Sequence, residues 1–154
     1  MKKPFPIVTY YNVEEYKYII YKDNKNISGI YRWNNKITGK SYIGSSINLT
    51  KRLRAYFSVK VLTNKLSRSK SEINSALLKD GYSNFTLDIL EYCDQDSVLR
   101  REQYYIDTLI PEYNILKKAG SRLGFQHSEN VNKDKTLFSK KKSTNNSLFK
   151  FKKN

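Results

Sequence analysis

Hydrophobic and polar positions fall into a readable order from Ser28 onward. Gly29-Ile30-Tyr31-Arg32-Trp33 is rich in β-formers, residues 34–39 are rich in turn formers, and Lys40-Ser41-Tyr42-Ile43-Gly44 resumes the strand character. That succession predicts a β-hairpin with a medium loop. In an alternating strand Tyr31 and Trp33 share one face, and Ile30 and Arg32 the other. Behind the hairpin Asn48 suits a helix N-cap, and Leu49, Leu53, Tyr56 and Phe57 recur at helical spacing, with Arg52 flanking their stripe. Residues 59–70 are polar and basic and are expected to form a loop. A second helix is predicted over residues 72–79, with Ile73, Ala76 and Leu77 inward and Asp80-Gly81 as its stop. Phe85, Leu87 and Ile89 alternate with Thr86 and Asp88 in a half-buried strand, and a last helix is expected from about Asp96 to Leu109, ahead of Pro111.

The order strand, strand, helix, helix, strand, helix implies an α/β domain: a small, mainly antiparallel, three-stranded sheet flanked by helices. We place this domain at residues 28–116. Residues 1–27 hold four tyrosines between Tyr10 and Tyr18 without a clean period, and read as an N-terminal extension. Residues 117–154 read as a linker and basic tail. From residue 125 onward there are eight lysines against Glu129 and Asp134, and only scattered Leu and Phe. A stretch of that composition cannot bury a core and is expected to order on a partner.

Charge gives the partner its sign. The 154 residues carry 29 Lys and Arg against 14 Asp and Glu, a net charge of +15. Such an excess favours a polyanion, because each neutralised phosphate releases condensed counterions. No run approaches the ~18 apolar residues that a spanning helix needs. Met1-Lys2-Lys3-Pro4 leads into no apolar core of a signal peptide, so neither a membrane partner nor a targeting peptide is expected. The lone Cys93 reads as a small packed hydrophobe, and no Cys/His cluster offers a zinc site.

One residue breaks the pattern. Glu102 lies in the apolar stripe of the last helix, four residues after Val98, three after Leu99 and four before Ile106. A carboxylate facing a core is costly unless compensated, by a bound divalent cation or by an arginine such as Arg101 or Arg52.

Gly29-Ile30-Tyr31 and Tyr42-Ile43-Gly44 stand eleven residues apart from tyrosine to tyrosine. They are followed by Gly44-Ser45-Ser46, a helix with Lys51-Arg52-Leu53, then Arg101-Glu102-Gln103-Tyr104 and, after Pro111, Glu112-Tyr113-Asn114. This set resembles the GIY-YIG endonucleases over about residues 28–127, and is similar to the intron-encoded homing endonucleases of fungal mitochondria. The resemblance implies a DNA endonuclease with Glu102 as its single metal-ligand carboxylate, holding Mg2+. It implies that Tyr31 helps to remove a proton from the attacking water, that Tyr42 orients water or phosphate, that Arg52 stabilises charge on the phosphate, and that Asn114 supports the site. Tyr56 stands where relatives carry a histidine, and Arg68 at another histidine position. His127 is the one histidine of the chain, so no histidine base is available inside the domain.

The resemblance further implies double-stranded DNA as partner, a monomer, no small-molecule cofactor and a mitochondrial setting. Gly124-Phe125-Gln126-His127-Ser128-Glu129 is similar to the start of a modular DNA-binding repeat, and Asn146-Ser147-Leu148-Phe149-Lys150 to its loop. The segment between is degenerate, so a truncated repeat with relaxed target choice is expected. Arg54, Arg68, Lys117, Lys118, Arg122, His127, Lys140, Lys141, Lys142 and Lys150 are the expected DNA contacts. The other reading is a nucleic-acid-binding protein that kept the fold and lost cutting.

Overall fold

The structure, a computed structural model, describes residues 5–115. Its centre is an antiparallel sheet in the order β1-β4-β2-β3, built from β1 (Val8–Tyr10), β2 (Gly29–Asn35), β3 (Ser41–Ser46) and β4 (Phe85–Tyr92). The predicted hairpin is β2–β3, in which Tyr31 faces Gly44 and Trp33 faces Tyr42 across the strands. Asn35 turns it. Its Oδ1 accepts from the backbone N–H groups of Ile37 and Thr38 at 2.9 and 3.3 Å, and Gly39 takes a φ of +76°, which a residue without Cβ tolerates.

The sheet has four strands where the pattern predicted three. The fourth, β1, comes from the segment read as an extension, which also supplies helix α1 (Lys17–Asp23). Val13 and Ile20 of that segment are fully buried, and Asn24 joins it to β4 by accepting from the Tyr92 hydroxyl at 2.8 Å. A strand of three residues and a seven-residue helix with one buried side chain are too short to display a period. β4, expected to be half-buried, lies between β1 and β2 and is buried on both faces from Phe85 to Leu90.

Helix α2 (Leu49–Tyr56) begins at the expected cap, where the Asn48 side chain accepts from the Lys51 N–H. Residues 59–70, expected to be a loop, contain α3 (Val59–Leu66), capped by Ser58. Of its residues only Leu62 is buried, so interleaved Lys, Thr and Asn hid the helical period. Helix α4 (Glu72–Asp80) closes on Gly81 at φ +83°, with Ile73, Ala76 and Leu77 buried as expected. Helix α5 (Val98–Leu109) follows a short 3-10 turn and ends on Ile110 in the left-handed region, next to Pro111.

The two faces of the sheet carry separate cores. Tyr31 and Trp33 join Leu49, Leu53, Tyr56, Leu62, Leu77 and Leu87 on the face of α2, α3 and α4. Ile30, Ile43 and Leu90 pack with Tyr105 and Ile106 of α5 on the other. The alternation read from residues 30–33 thus sends successive side chains to helices on opposite sides of the sheet. Among the described residues, no helix is long and apolar enough to cross a membrane.

Candidate active site

Strand β3 is an edge strand, and the residues singled out in the sequence gather around it from both faces. From the α5 side comes Glu102. Ser45, two residues on from Ile43 and on the same face, donates a short hydrogen bond to Glu102 Oε1. Glu102 is half-buried at the edge of the stripe made by Val98, Tyr105 and Ile106, while Leu99, expected in that stripe, is exposed. Arg101 does not serve as partner to its neighbour in sequence. It forks onto Glu91 of β4, with Nε at 2.9 and 3.0 Å and Nη2 at 2.8 Å, and Tyr105 donates to the same carboxylate at 2.9 Å. The fork fixes the rotation of α5 on β4 and, with it, the direction of Glu102. The Arg101 hydrogen bonds hold the Glu91 carboxyl below its ordinary pKa.

From the opposite face come the phenols and the guanidinium. Tyr31 is buried, its ring 6.4 Å from that of Tyr42 and 5.8 Å from that of Tyr56, and its hydroxyl lies 2.7 Å from the Tyr56 hydroxyl. Tyr56 also hydrogen-bonds with Tyr42, so it links the two motif tyrosines. Gly44 is what lets Tyr31 lie there, because a Cβ at Gly44 would stand 2.4 Å from the Tyr31 hydroxyl oxygen. Gly29 is likewise forced: a Cβ would stand 2.4 Å from the carbonyl oxygen of Glu91. Burial, and then the Tyr42 phenol, push the Tyr31 hydroxyl well above the ordinary phenol range, against the pull of Arg52 and of the Tyr56 hydrogen bond. Tyr56 is raised in the same direction, again chiefly by burial.

Arg52, on α2, is where the two halves meet electrically. Its proton is held more firmly than in an ordinary guanidinium, first by Tyr31, against the cost of burial, and then by Tyr56, Tyr42 and Glu102. Asn114 works at one remove. Its Oδ1 accepts from the N–H of Ile43 and its Nδ2 donates to the carbonyl of Ile43, both at 2.9 Å, so its amide pairs with the outer backbone of β3 between Tyr42 and Gly44. Next to it, Tyr113 N–H donates to Ser41 O at 2.9 Å, and Ser41 N–H to Glu112 Oε1 at 3.0 Å.

Among the described residues, no three His, Cys, Asp or Glu side chains form a group that could hold a metal ion. Glu102, whose carboxylate accepts from Ser45, is the donor that the sequence singled out. That chemistry fits a hard divalent ion such as Mg2+, which keeps most of its waters and completes its shell from a substrate phosphate.

Of the expected DNA contacts, Arg54 and Arg68 are exposed. Lys117, Lys118, Arg122, His127, Lys140, Lys141, Lys142 and Lys150 lie outside the described residues. The sequence reading missed Ser45 and the Glu91–Arg101–Tyr105 clamp. Ser45 was legible as the next residue after Ile43 on one face of β3; the clamp depends on how α5 lies across β4, which no local pattern records.

An antiparallel sheet between helices, with Tyr31, Tyr42, Arg52 and Glu102 grouped about one edge strand, defines the class, and the chain belongs to the GIY-YIG family: the family's catalytic domain matches residues 27–114. A curated relative, the probable intron-encoded endonuclease bI1 of Neurospora crassa, is 31% identical over 134 residues, covering 80% of this chain and 29% of the relative. The chain thus spans less than a third of that relative's length. The solved catalytic domain of the homing endonuclease I-TevI is 31% identical, covering 57% of this chain and 97% of that one, at a TM-score of 0.46. A mutant of the same catalytic domain is 30% identical, covering 60% and 97%, at a TM-score of 0.49.

Proposed function

We propose that this protein is a DNA endonuclease that hydrolyses phosphodiester bonds with the help of a divalent metal ion, Mg2+, and acts as an intron-encoded homing endonuclease. The observation that carries the reading is the gathering about edge strand β3 of Glu102, bound by Ser45, and of Tyr31 and Tyr42, with Arg52 on the adjoining helix α2. A half-buried carboxylate held toward the edge strand by Ser45 would repel a phosphodiester unless balanced, and a metal ion at Glu102 would supply that balance. When bound there, the ion polarises a phosphate oxygen and acidifies water.

The chain's own residues do the rest. Arg52 faces the charge that grows on the phosphate oxygens, and its raised proton affinity keeps it cationic throughout the working pH range. Ser45 and the Arg101 fork hold Glu102 in one direction. Tyr31 stays protonated at neutral pH, because burial disfavours its phenolate, and its hydroxyl shares a hydrogen bond with that of Tyr56. In this geometry Tyr31 orients its neighbours; its service as a base would require the phenol to be uncovered. Asn114 positions β3 through its pairing with the Ile43 backbone. Double-stranded DNA as substrate, a basic tail over residues 117–154 that grips it, action as a monomer and a mitochondrial setting belong to the same proposal, supported by the +15 charge and the intron-encoded relative.

The test is nicking of supercoiled DNA by the purified chain in Mg2+, beside EDTA and beside Glu102→Gln and Arg52→Ala. The wild type is expected to nick and the Glu102 variant to bind DNA without nicking. Arg52→Ala is expected to slow cutting by about 10²- to 10³-fold. Binding with no cutting by the wild type in any divalent metal would overturn the reading.

A further inference from the structure

Helix α2 carries the candidate catalytic arginine on one flank and packs on α1 with the other. At 100° per residue, Leu49, Leu53 and Tyr56 define its buried side, Arg52 its site side, Lys51 its outward ridge, and Thr50 and Arg54 the flank toward α1. The junction is fixed by hydrogen bonds. The Thr50 hydroxyl donates to Tyr21 O at 2.6 Å, and the Leu49 N–H donates to Ile27 O at 2.9 Å.

Cations and aromatic rings alternate across that junction. The Arg54 guanidinium stacks on the Tyr21 ring at 4.6 Å, Tyr21 meets Tyr18 edge-on at 5.8 Å, and the Lys17 ammonium stands over Tyr18 at 5.6 Å. Tyr18 is 74% exposed, which packing does not explain. Lys22 and Lys25 are exposed; helical spacing puts Lys22 on the same flank as Tyr18, and Lys25 stands in the turn that follows the helix. The acids of the segment lie elsewhere. Asp23 faces away and accepts from Tyr10 at 2.8 Å, Glu15 accepts from Asn12 at 2.8 Å ahead of the helix, and Glu14 also precedes it. A cation held on a ring face has lost part of its rotamer freedom before a partner arrives, so less ordering entropy opposes contact.

We propose that the flank of α1 formed by Lys17, Tyr18 and Lys22, with Lys25 in the turn after the helix, continues the ridge of Lys51 and Arg54 as a track for the DNA backbone leading away from Arg52. It rests on the nuclease reading for its substrate, and it adds a contact surface from residues that the family's domain, beginning at residue 27, does not include. Phosphate contacts of this kind position the duplex and read no sequence.

The experiment measures binding of the full chain to a labelled DNA duplex in EDTA, over a range of salt concentrations. The triple variant Lys17→Gln, Lys22→Gln, Lys25→Gln is compared with Lys36→Gln, Lys40→Gln, Lys79→Gln. The second removes the same charge from exposed lysines near the far end of β2. The first variant is expected to lower the slope of log affinity against log salt by about 2 to 3, and to weaken binding about tenfold or more at moderate salt, with the second close to wild type. Unchanged binding by the first variant, or equal loss in both, overturns the proposal. Plasmid nicking by the wild type in Mg2+ is scored separately. A wild type that binds through this track and never cuts refutes the nuclease reading alone, and one that cuts while the first triple variant binds normally refutes the track alone.

Discussion

Gly44 lies across the hairpin from Tyr31, and the tyrosine hydroxyl occupies the space that any side chain at position 44 would take. Gly44→Ala is expected to force the ring off Tyr56 and to cost about 1–3 kcal/mol, the range for overfilling a packed core, read as a lower urea midpoint. Because the displaced ring is also a neighbour of Arg52, nicking should fall with it. A variant as stable and as active as wild type would show that the ring has room to spare. At this scale the sequence was most legible where an incongruity stood out: Glu102 among apolar neighbours, and glycines in otherwise β-forming tripeptides. It was less legible for the partners of Ser45 and Tyr56, although Tyr56 stood out as a departure from the family's pattern. Each is an ordinary residue for its element, and its importance comes from a partner 57 and 25 positions away.

Helix α5 is held to β4 by the Arg101 fork on Glu91, and this attachment depends on pH. The folded carboxyl titrates below its ordinary value of 4.5, so its contribution is fully present above that pH and is lost as pH falls through the lower folded value. Glu91→Gln is expected to be less stable than wild type at pH 7. It should also lose less on acidification below pH 4.5, as measured by chemical denaturation at several pH values. Parallel curves for the two proteins would mean that the fork does not anchor the helix. Elements with a buried stripe or clear alternation were readable, as α2, α4, α5 and the hairpin show. Those that contribute one or two side chains to a core assembled by distant pairing, namely β1, α1 and α3, were not.

For the molecule as a whole, the first consequence concerns where the domain begins. Val13 and Ile20 are fully buried and β1 covers the outer edge of β4, although the family's domain starts at residue 27. Burying two such side chains contributes about 1.5–3 kcal/mol each, a large share of the ~5–15 kcal/mol that holds a domain folded. A protein lacking residues 1–27 is therefore expected to lose its cooperative thermal transition or to precipitate. An unchanged melting temperature would show those residues to be dispensable. The opposite margin of the sheet behaves differently. There the amide of Asn114, with Tyr113 and Glu112, saturates the outward N–H and C=O groups of Ser41 and Ile43. An unsaturated margin is a template on which a second chain can add its own strand. Residues 112–114 thus act as a selvedge: they stop the fabric from being extended by a stranger, and they end their coverage at Ile43, one position short of Gly44 and two short of Ser45, the residue that binds Glu102.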